Sequence, residues 1–242
     1  MRLLVTRPVL DAAPLAEQLA ARGHDVLISP MIEIELTQAA LPPVDAQGGL
    51  ALTSANGVRA LMARLVDDAA RAAWQALPAF AVGSQTAAAL NAGGFQNVHE
   101  AEGDLVALVA LIKRAYKKDA DILHVAGRDR AGDLQKLLGE ARIGCTRAVL
   151  YRAEAAVDFS NAAEAAFKDE EEPVDGVVVY SQRSADIFCA LYKQLEKAAP
   201  STLSRPTLYC LSPSIAAAAE QAGFAARAPA KPDSAALIDL IG

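Results

Sequence analysis

GGLALTSANGVRALMARL, residues Gly48–Leu65, and DGVVVYSQRSADIFCALY, residues Asp175–Tyr192, are the stretches whose reading decides the fold. Each begins with a short apolar run that does not alternate with polar residues, as a strand buried on both faces requires. A turn of small and polar residues follows, and then a segment of helical period. Aligned, they place Ser54 against Ser181, each where a hydroxyl would cap the helix that opens behind it. Strand, loop and helix thus occur twice with the same chemistry at the joint.

The likeness extends outward. AVGSQTAAALNAGGF (Ala81–Phe95) matches YCLSPSIAAAAEQAGF (Tyr209–Phe224), with Thr86 against Ser214 and one glycine inserted. An acidic helix start follows each, Asp104 before LVALVALI and Asp233 before Ser234 and AALIDLI. LLVTRPVLDAAPLAEQLAARG (Leu3–Gly23) loosely matches ILHVAGRDRAGDLQKLLGEARIG (Ile122–Gly144), but it stands at the start of the chain. Two copies of one five-stranded α/β domain, the second inserted into a permuted first, account for this order. The expected domains are 1–36 plus 174–242, and 37–173, joined by a two-stranded linker. The crossings should fall near 33–38 and 152–173, and the acid run Asp169–Glu172 reads as a solvated linker or helix end. Two connections would permit a hinge and a cleft that opens and shuts.

Strands are expected at Leu3–Thr6, Val26–Ile34, Leu50–Thr53, Ala79–Val82, Asn97–Glu100, Ile122–Val125, Ala148–Tyr151, Val177–Tyr180, Thr207–Leu211 and Ala225–Ala228. Helical segments lie between most of them, so the fold class is α/β, with two similar flavodoxin-like parallel sheets covered on both faces.

Composition narrows the function. The chain has 242 residues, 53% of them hydrophobic, and a net charge of -6, which argues against a general electrostatic grip on nucleic acid or anionic lipid. Cys145, Cys189 and Cys210 lack CxxC spacing and read as reduced core thiols. His24, His99 and His124 lack metal-ligand spacing, and His124 reads as a sheet residue. MRLLVTRP is too short for a signal peptide's apolar region, and no 18-residue apolar stretch occurs, so the expectation is a cytoplasmic protein without membrane contact.

In open parallel sheets, ligands meet the loops at the carboxyl ends of the strands. Here those loops are Thr6-Arg7-Pro8, Thr53-Ser54-Ala55-Asn56, Gly83-Ser84-Gln85-Thr86, Gly127-Arg128-Asp129-Arg130, Ser181-Gln182-Arg183-Ser184 and Ser212-Pro213-Ser214. Taken singly, a Ser or Thr there is an N-cap worth about 1 kcal/mol. Repeated through two domains, hydroxyls and backbone N–H groups at helix N-termini form a chemistry that receives anions. Arg7, Arg128, Arg130, Arg152 and Arg183 are the cations best placed to join it. The loops show neither a Walker pattern nor GxGxxG.

LLVTRP, ALTSANGV, AVGSQTAAAL, AGRDRAGDL, VLYRAE, VVVYSQRSADIF and SPSIAAAAEQAGF together resemble the uroporphyrinogen-III synthase family, in the family's order and over essentially the whole chain. The resemblance implies a lyase of tetrapyrrole biosynthesis, serving haem, sirohaem, cobalamin or chlorophyll. It implies the substrate hydroxymethylbilane, a linear tetrapyrrole bearing eight carboxylates, and neither metal nor cofactor. In the family, loss of water gives an azafulvene cation, attack at the substituted carbon of ring D gives a spiro intermediate, and reclosure leaves ring D inverted. Tyr151 matches the family's tyrosine at the VLYR strand end and is the implied catalytic residue. A monomer is expected, with transient contact with hydroxymethylbilane synthase. Where the family often has Pro after the loop serine, this chain has Ser181-Gln182 and Ser54-Ala55, which leaves more N–H donors.

The alternatives are proteins of similar build without catalysis. A two-domain small-anion-binding or sensor protein would carry a secretion signal or a DNA-binding head. A receiver module would carry acids and a lysine at strand ends, where this chain has Thr, Ser and Gly.

Overall fold

The computed structural model describes residues 1–117, 119–129, 132–198 and 203–242. The chain opens with β1 (Arg2–Val5), α1 (Val9–Ala21), β2 (Asp25–Ile28) and β3 (Ile32–Leu36). After a short 3-10 turn come β4 (Gln47–Leu52), α2 (Ala55–Met62), α3 (Asp68–Gln75), β5 (Ala79–Val82), α4 (Ser84–Ala92) and β6 (Val98–Ala101). Then follow α5 (Leu105–Ala115), β7 (Asp121–Gly127), α6 (Leu134–Glu140), β8 (Cys145–Ala155) and α7 (Asn161–Phe167). The chain closes with β9 (Gly176–Val179), α8 (Gln182–Ala198), β10 (Thr207–Cys210), α9 (Pro213–Gln221), β11 (Ala226–Arg227) and α10 (Ser234–Ile241).

Two compact units result: Met1–Glu33 with Glu154–Gly242, and Ile34–Ala153. The first holds a five-stranded sheet ordered β11-β10-β9-β1-β2, with every neighbouring pair parallel. The second is built on a six-stranded sheet ordered β3-β8-β7-β4-β5-β6, parallel from β8 through β6. Omitting β3, the orders are one and the same once the repeated segments are matched: β10 with β5, β9 with β4 and β1 with β7. The chain crosses between units within β3 and β8, which are neighbours in the sheet.

Side chains of successive strand residues leave opposite faces, and each sheet has a core on both. In the first unit, Leu4, Val177, Val179 and Leu208 meet α7, α8 and α9, while Leu3, Val5 and Val178 meet α1 and α10. In the second, Leu50, Leu52, Leu123 and Val125 meet α2 and α4, while Ala51, Phe80 and Ile122 meet α5 and α6.

Two differences from the sequence reading have clear causes. The run Val26–Ile34, expected as one strand, is divided between β2 and β3 in different sheets. Pro30 has no N–H for a ladder, and the next amide, that of Met31, turns to the Thr6 carbonyl at 3.0 Å. Residues 154–173, expected in the inserted domain, belong to the first unit. Phe159 and Phe167 pack against Phe188, and Phe167 also meets Tyr192, with ring centroids 5.5–6.1 Å apart. The acid run is also held. The Arg2 guanidinium lies 2.7 Å from Glu172 and 3.5 Å from Asp169, and its Nε donates to Asp25 at 2.7 Å.

Phe188 is fully buried and touches Phe159, Phe167, Tyr192 and Phe224. Phe188→Ala should cost the first unit about 3–5 kcal/mol, read by urea unfolding. A loss below about 1 kcal/mol would show that this cluster does not carry α7 and α8.

Candidate functional site

Parallel order places the loops on a common edge within each unit. In the first, Thr6-Arg7-Pro8, Ser181–Ser184 and Ser212–Ser214 leave the carboxyl ends of the adjacent strands β1, β9 and β10. In the second, Thr53–Asn56, Gly83–Thr86 and the Gly127 loop leave β4, β5 and β7, again adjacent. Each set ends at the N-termini of helices, where unsatisfied amides concentrate.

The caps use some of these donors. Ser54 Oγ accepts from the Asn56 amide at 3.1 Å, and Asn56 Oδ1 accepts from Arg59. Ser181 Oγ accepts from the Ser184 amide at 3.1 Å and shares a 2.8 Å hydrogen bond with Ser184 Oγ. Ser212 Oγ accepts from the Ile215 amide and pairs with Ser214 Oγ at 2.9 Å. At α4 the cap is Gly83, with φ of 74° and no side-chain acceptor, so the first-turn amides there are not consumed by a cap.

The candidate residues separate by exposure. Ser84, Gln85, Arg128, Gln182, Arg183, Pro213 and Ser214 are exposed; Arg7, Thr53, Ser54, Ala55, Asn56, Gly83, Ser181 and Ser212 are half-buried. Thr86 and Ser184 are buried. Thr6 is also buried, and its hydroxyl donates to the Val178 carbonyl at 2.8 Å, so this side chain ties β1 to β9. Arg130 lies outside the described residues. Gln182 bonds Asp186 at 2.8 Å. Arg152 pairs with Glu35, so this cation is partly neutralised. Arg7 is oriented twice, stacked 4.4 Å over the Tyr180 ring and 3.5 Å from Asp11.

Within the second unit a cavity of about 360 Å³ opens among these loops, lined by Thr53, Ser54, Gly127, His124, Arg147 and Tyr151 and closed by the starts of α5 and α6. Tyr151, singled out as a strand-end residue, lines this cavity with Thr53, Ser54 and Gly127. Its ring covers Gly127 so closely that a Cβ there would stand 2.8 Å from the ring. Sequence reasoning did not single out Arg147 or Tyr180. The even spacing from Arg147 to Tyr151 carries no signal that groups them, because β8 slips by a residue between the two: Arg147 stands opposite His124, while Tyr151 stands opposite Gly127 and packs with Leu150 toward the core under α2 and α4. Asp104, noted only as a helix start, caps α5 through the Val106 and Ala107 amides at 2.9 and 3.0 Å.

The thiols stand apart from this chemistry. Burial pushes Cys145 to about 11 and Cys210 to about 12, and also raises Cys189. Among the described residues, no group of three or more His, Cys, Asp or Glu is arranged to hold a metal ion, and no helix is long and apolar enough to cross a membrane.

Fold and site together define an α/β protein of two related parallel-sheet units, each presenting helix N-termini at one edge. The model of the family described as uroporphyrinogen-III synthase HemD matches residues 13–239, and the chain belongs to that family. A search of curated proteins finds no match. Among solved structures, the uroporphyrinogen-III synthetase of Helicobacter pylori is 18% identical, with 100% of this chain and 98% of that one covered and a TM-score of 0.66. That similarity establishes the fold. A mutant uroporphyrinogen III synthase from the extremely thermophilic bacterium Thermus thermophilus is 16% identical, with coverage of 100% and 96% and a TM-score of 0.49.

Because only the thiolate is nucleophilic, the raised thiol values predict slow alkylation of all three cysteines at neutral pH. The rate for Cys145 should climb only as the pH approaches about 11, where its proton is lost. Timed alkylation with mass spectrometry checks this; rapid native-state labelling at pH 7 would contradict it.

Proposed function

We propose that this protein is a uroporphyrinogen-III synthase, a hydro-lyase that converts hydroxymethylbilane to uroporphyrinogen III and water. Family membership over residues 13–239 carries the reading. The physical chemistry of the two sheet edges supports it.

The substrate is a flexible polyanion that must be held curled before its ends can react. Each charge-assisted hydrogen bond contributes about 1.5–3 kcal/mol and each helix N-terminus about 0.3–1. A dispersed set of such contacts is therefore sufficient, and no single cation need dominate. In this reading, Ser54, Ser84, Gln85, Ser181, Gln182, Ser214 and the amides around them receive carboxylates, with Arg7, Arg128, Arg130 and Arg183 adding charge. Binding both ends of one chain in a reactive arrangement can supply about 7–11 kcal/mol, as intramolecular reactions show.

Tyr151 is the proposed catalytic residue. Its phenol donates a hydrogen bond to the hydroxyl of the substrate's hydroxymethyl end, which leaves as water. The resulting azafulvene cation is attacked by the substituted carbon of ring D. The spiro intermediate then fragments and recloses with that ring inverted. The bilane also cyclises unaided to the uninverted isomer, so the protein's main task is to favour one geometry. We place the reaction in the cytoplasm, carried out by a monomer, with transient contact with hydroxymethylbilane synthase at delivery.

The purified protein, given freshly made hydroxymethylbilane and neither metal nor nucleotide, should yield the type III isomer. Product consisting of type I alone would favour an anion-binding protein without catalysis. Tyr151→Phe should slow turnover about tenfold to a hundredfold, at the lower end of what general acid catalysis contributes, while leaving the unfolding midpoint in place. An unchanged rate would remove Tyr151 from the mechanism.

A further inference from the structure

The ladder between β7 and β8 does not run evenly to its end. Ala126 faces Val149, but the next residue, Gly127, faces Tyr151, so Leu150 is the additional residue of a bulge. A bulge re-aims the side chains that follow it and leaves nearby backbone groups without regular partners. Here the carbonyls of Gly127 and Arg128 point to one side chain. Arg147, half-buried and four residues before Tyr151 on β8, donates from one guanidinium nitrogen to Gly127 O, and to Arg128 O at 3.2 Å. From the opposite side, the Arg128 amide donates to the Tyr151 carbonyl at 2.9 Å. The Tyr151 ring lies against Gly127, where a Cβ would stand 2.8 Å from its Cε2 and Cζ and 3.0 Å from its hydroxyl. Guanidinium and ring thus meet the same short piece of backbone, one through its carbonyls and the other at Gly127.

We propose that Arg147 is a positioning residue that acts through Tyr151, holding the bulged 127–128 backbone so that the phenol keeps its place beside the cavity. The proposal rests on the role given to Tyr151 above. Arg147 also lines the cavity, but its guanidinium is directed to main-chain carbonyls, so its part is to fix a surface more than to receive a carboxylate. Lysine can replace it incompletely, because a freely rotating ammonium does not hold its donors in a fixed plane as the guanidinium does.

The test is a double-mutant cycle with a spectroscopic arm. Arg147→Ala should lower kcat about tenfold and change KM less than about twofold, as loss of a transition-state contact requires. Combined with Tyr151→Phe, it should slow the enzyme no further than Tyr151→Phe alone, because residues that act as a unit are not additive. Arg147→Lys should recover part of the rate, and it supplies the same comparison if the alanine variant fails to fold. Fully additive losses, or a raised KM with kcat unchanged, would overturn the proposal and make Arg147 an independent binding residue. In protein labelled with 13C at the tyrosine ε carbons, the Tyr151 signal, assigned by its loss in Tyr151→Phe, should move in both Arg147 variants. A Tyr151 signal that stays put would overturn the proposal whatever the activity. Failure of the wild type to make the type III isomer would instead remove the functional reading and leave this geometric result to stand alone.

Discussion

Parallel strand pairing is the constraint on which everything else in this protein depends. A strand that pairs in parallel with its neighbour must be followed by a return path, and a helix usually provides it. Every strand then ends at the same edge of the sheet, and the helix behind it begins there. In the first unit, β1, β9 and β10 gather three loops at that edge, and in the second unit β7, β4 and β5 do the same. Hydrophobic burial fixes the sheets and the helices, and an edge lined by helix N-termini follows from topology without further cost. The caps at Ser54, Ser181 and Ser212 each take one amide of the first turn, while Gly83 takes none through a side chain.

If the proposed polyanionic substrate is the ligand, a chain with a net charge of -6 must hold it against an overall field that would repel it. Dipoles at helix ends are fixed in place and act at short range, so they work against that field where a diffuse cation would not. Several arginines, by contrast, are engaged within the protein. Arg2 closes the acid run onto the first sheet, and Arg152 meets Glu35. Arg7 is the informative intermediate case, because its stack on Tyr180 and its 3.5 Å approach to Asp11 orient the guanidinium at the loop edge. An oriented cation loses less side-chain entropy on meeting a carboxylate than a mobile one would.

Much of this was legible in the sequence, for reasons that differ from residue to residue. Strands buried on both faces carry unbroken apolar runs, so Leu50–Leu52 and Val177–Val179 announce themselves, and the serine behind each marks the helix start. Permutation was legible because duplicated segments keep their caps even when their order changes. The separation of β2 from β3 was not, since Val26–Ile34 contains apolar residues throughout and one proline carries the whole signal. Nor was the allegiance of α7, which depends on Phe159 and Phe167 finding Phe188, a contact between distant positions in the chain. At the site, loop composition identified the edge, but the burial of Thr6 and the grip of Arg147 depend on register and on a bulge, neither of which leaves a local pattern.

The two copies also differ at the strand end that carries Tyr151, the residue proposed for the chemistry. In the first unit, the β1–β2 ladder runs without a slip from Arg2 opposite Asp25 to Val5 opposite Ile28, and β2 then ends at Ser29 and Pro30. In the second unit, β8 continues past the matching point, slips by a residue and brings Tyr151 over Gly127. The loop after β1 carries Thr6, whose hydroxyl bonds the Val178 carbonyl. A β-branched residue in the place of Gly127 would put its Cβ where the tyrosine ring now rests. By ladder register Leu3 and Ile122 stand opposite the matched Gly176 and Gly49, so Thr6 corresponds to Val125, and Gly127 belongs to an extension of the strand that β1 lacks. The shorter strand end is tied by a threonine bond, and the longer one carries a phenol over a glycine beside a cavity. A repeat can hold both endings, one in each copy, because each closes its own strand end without reference to the other.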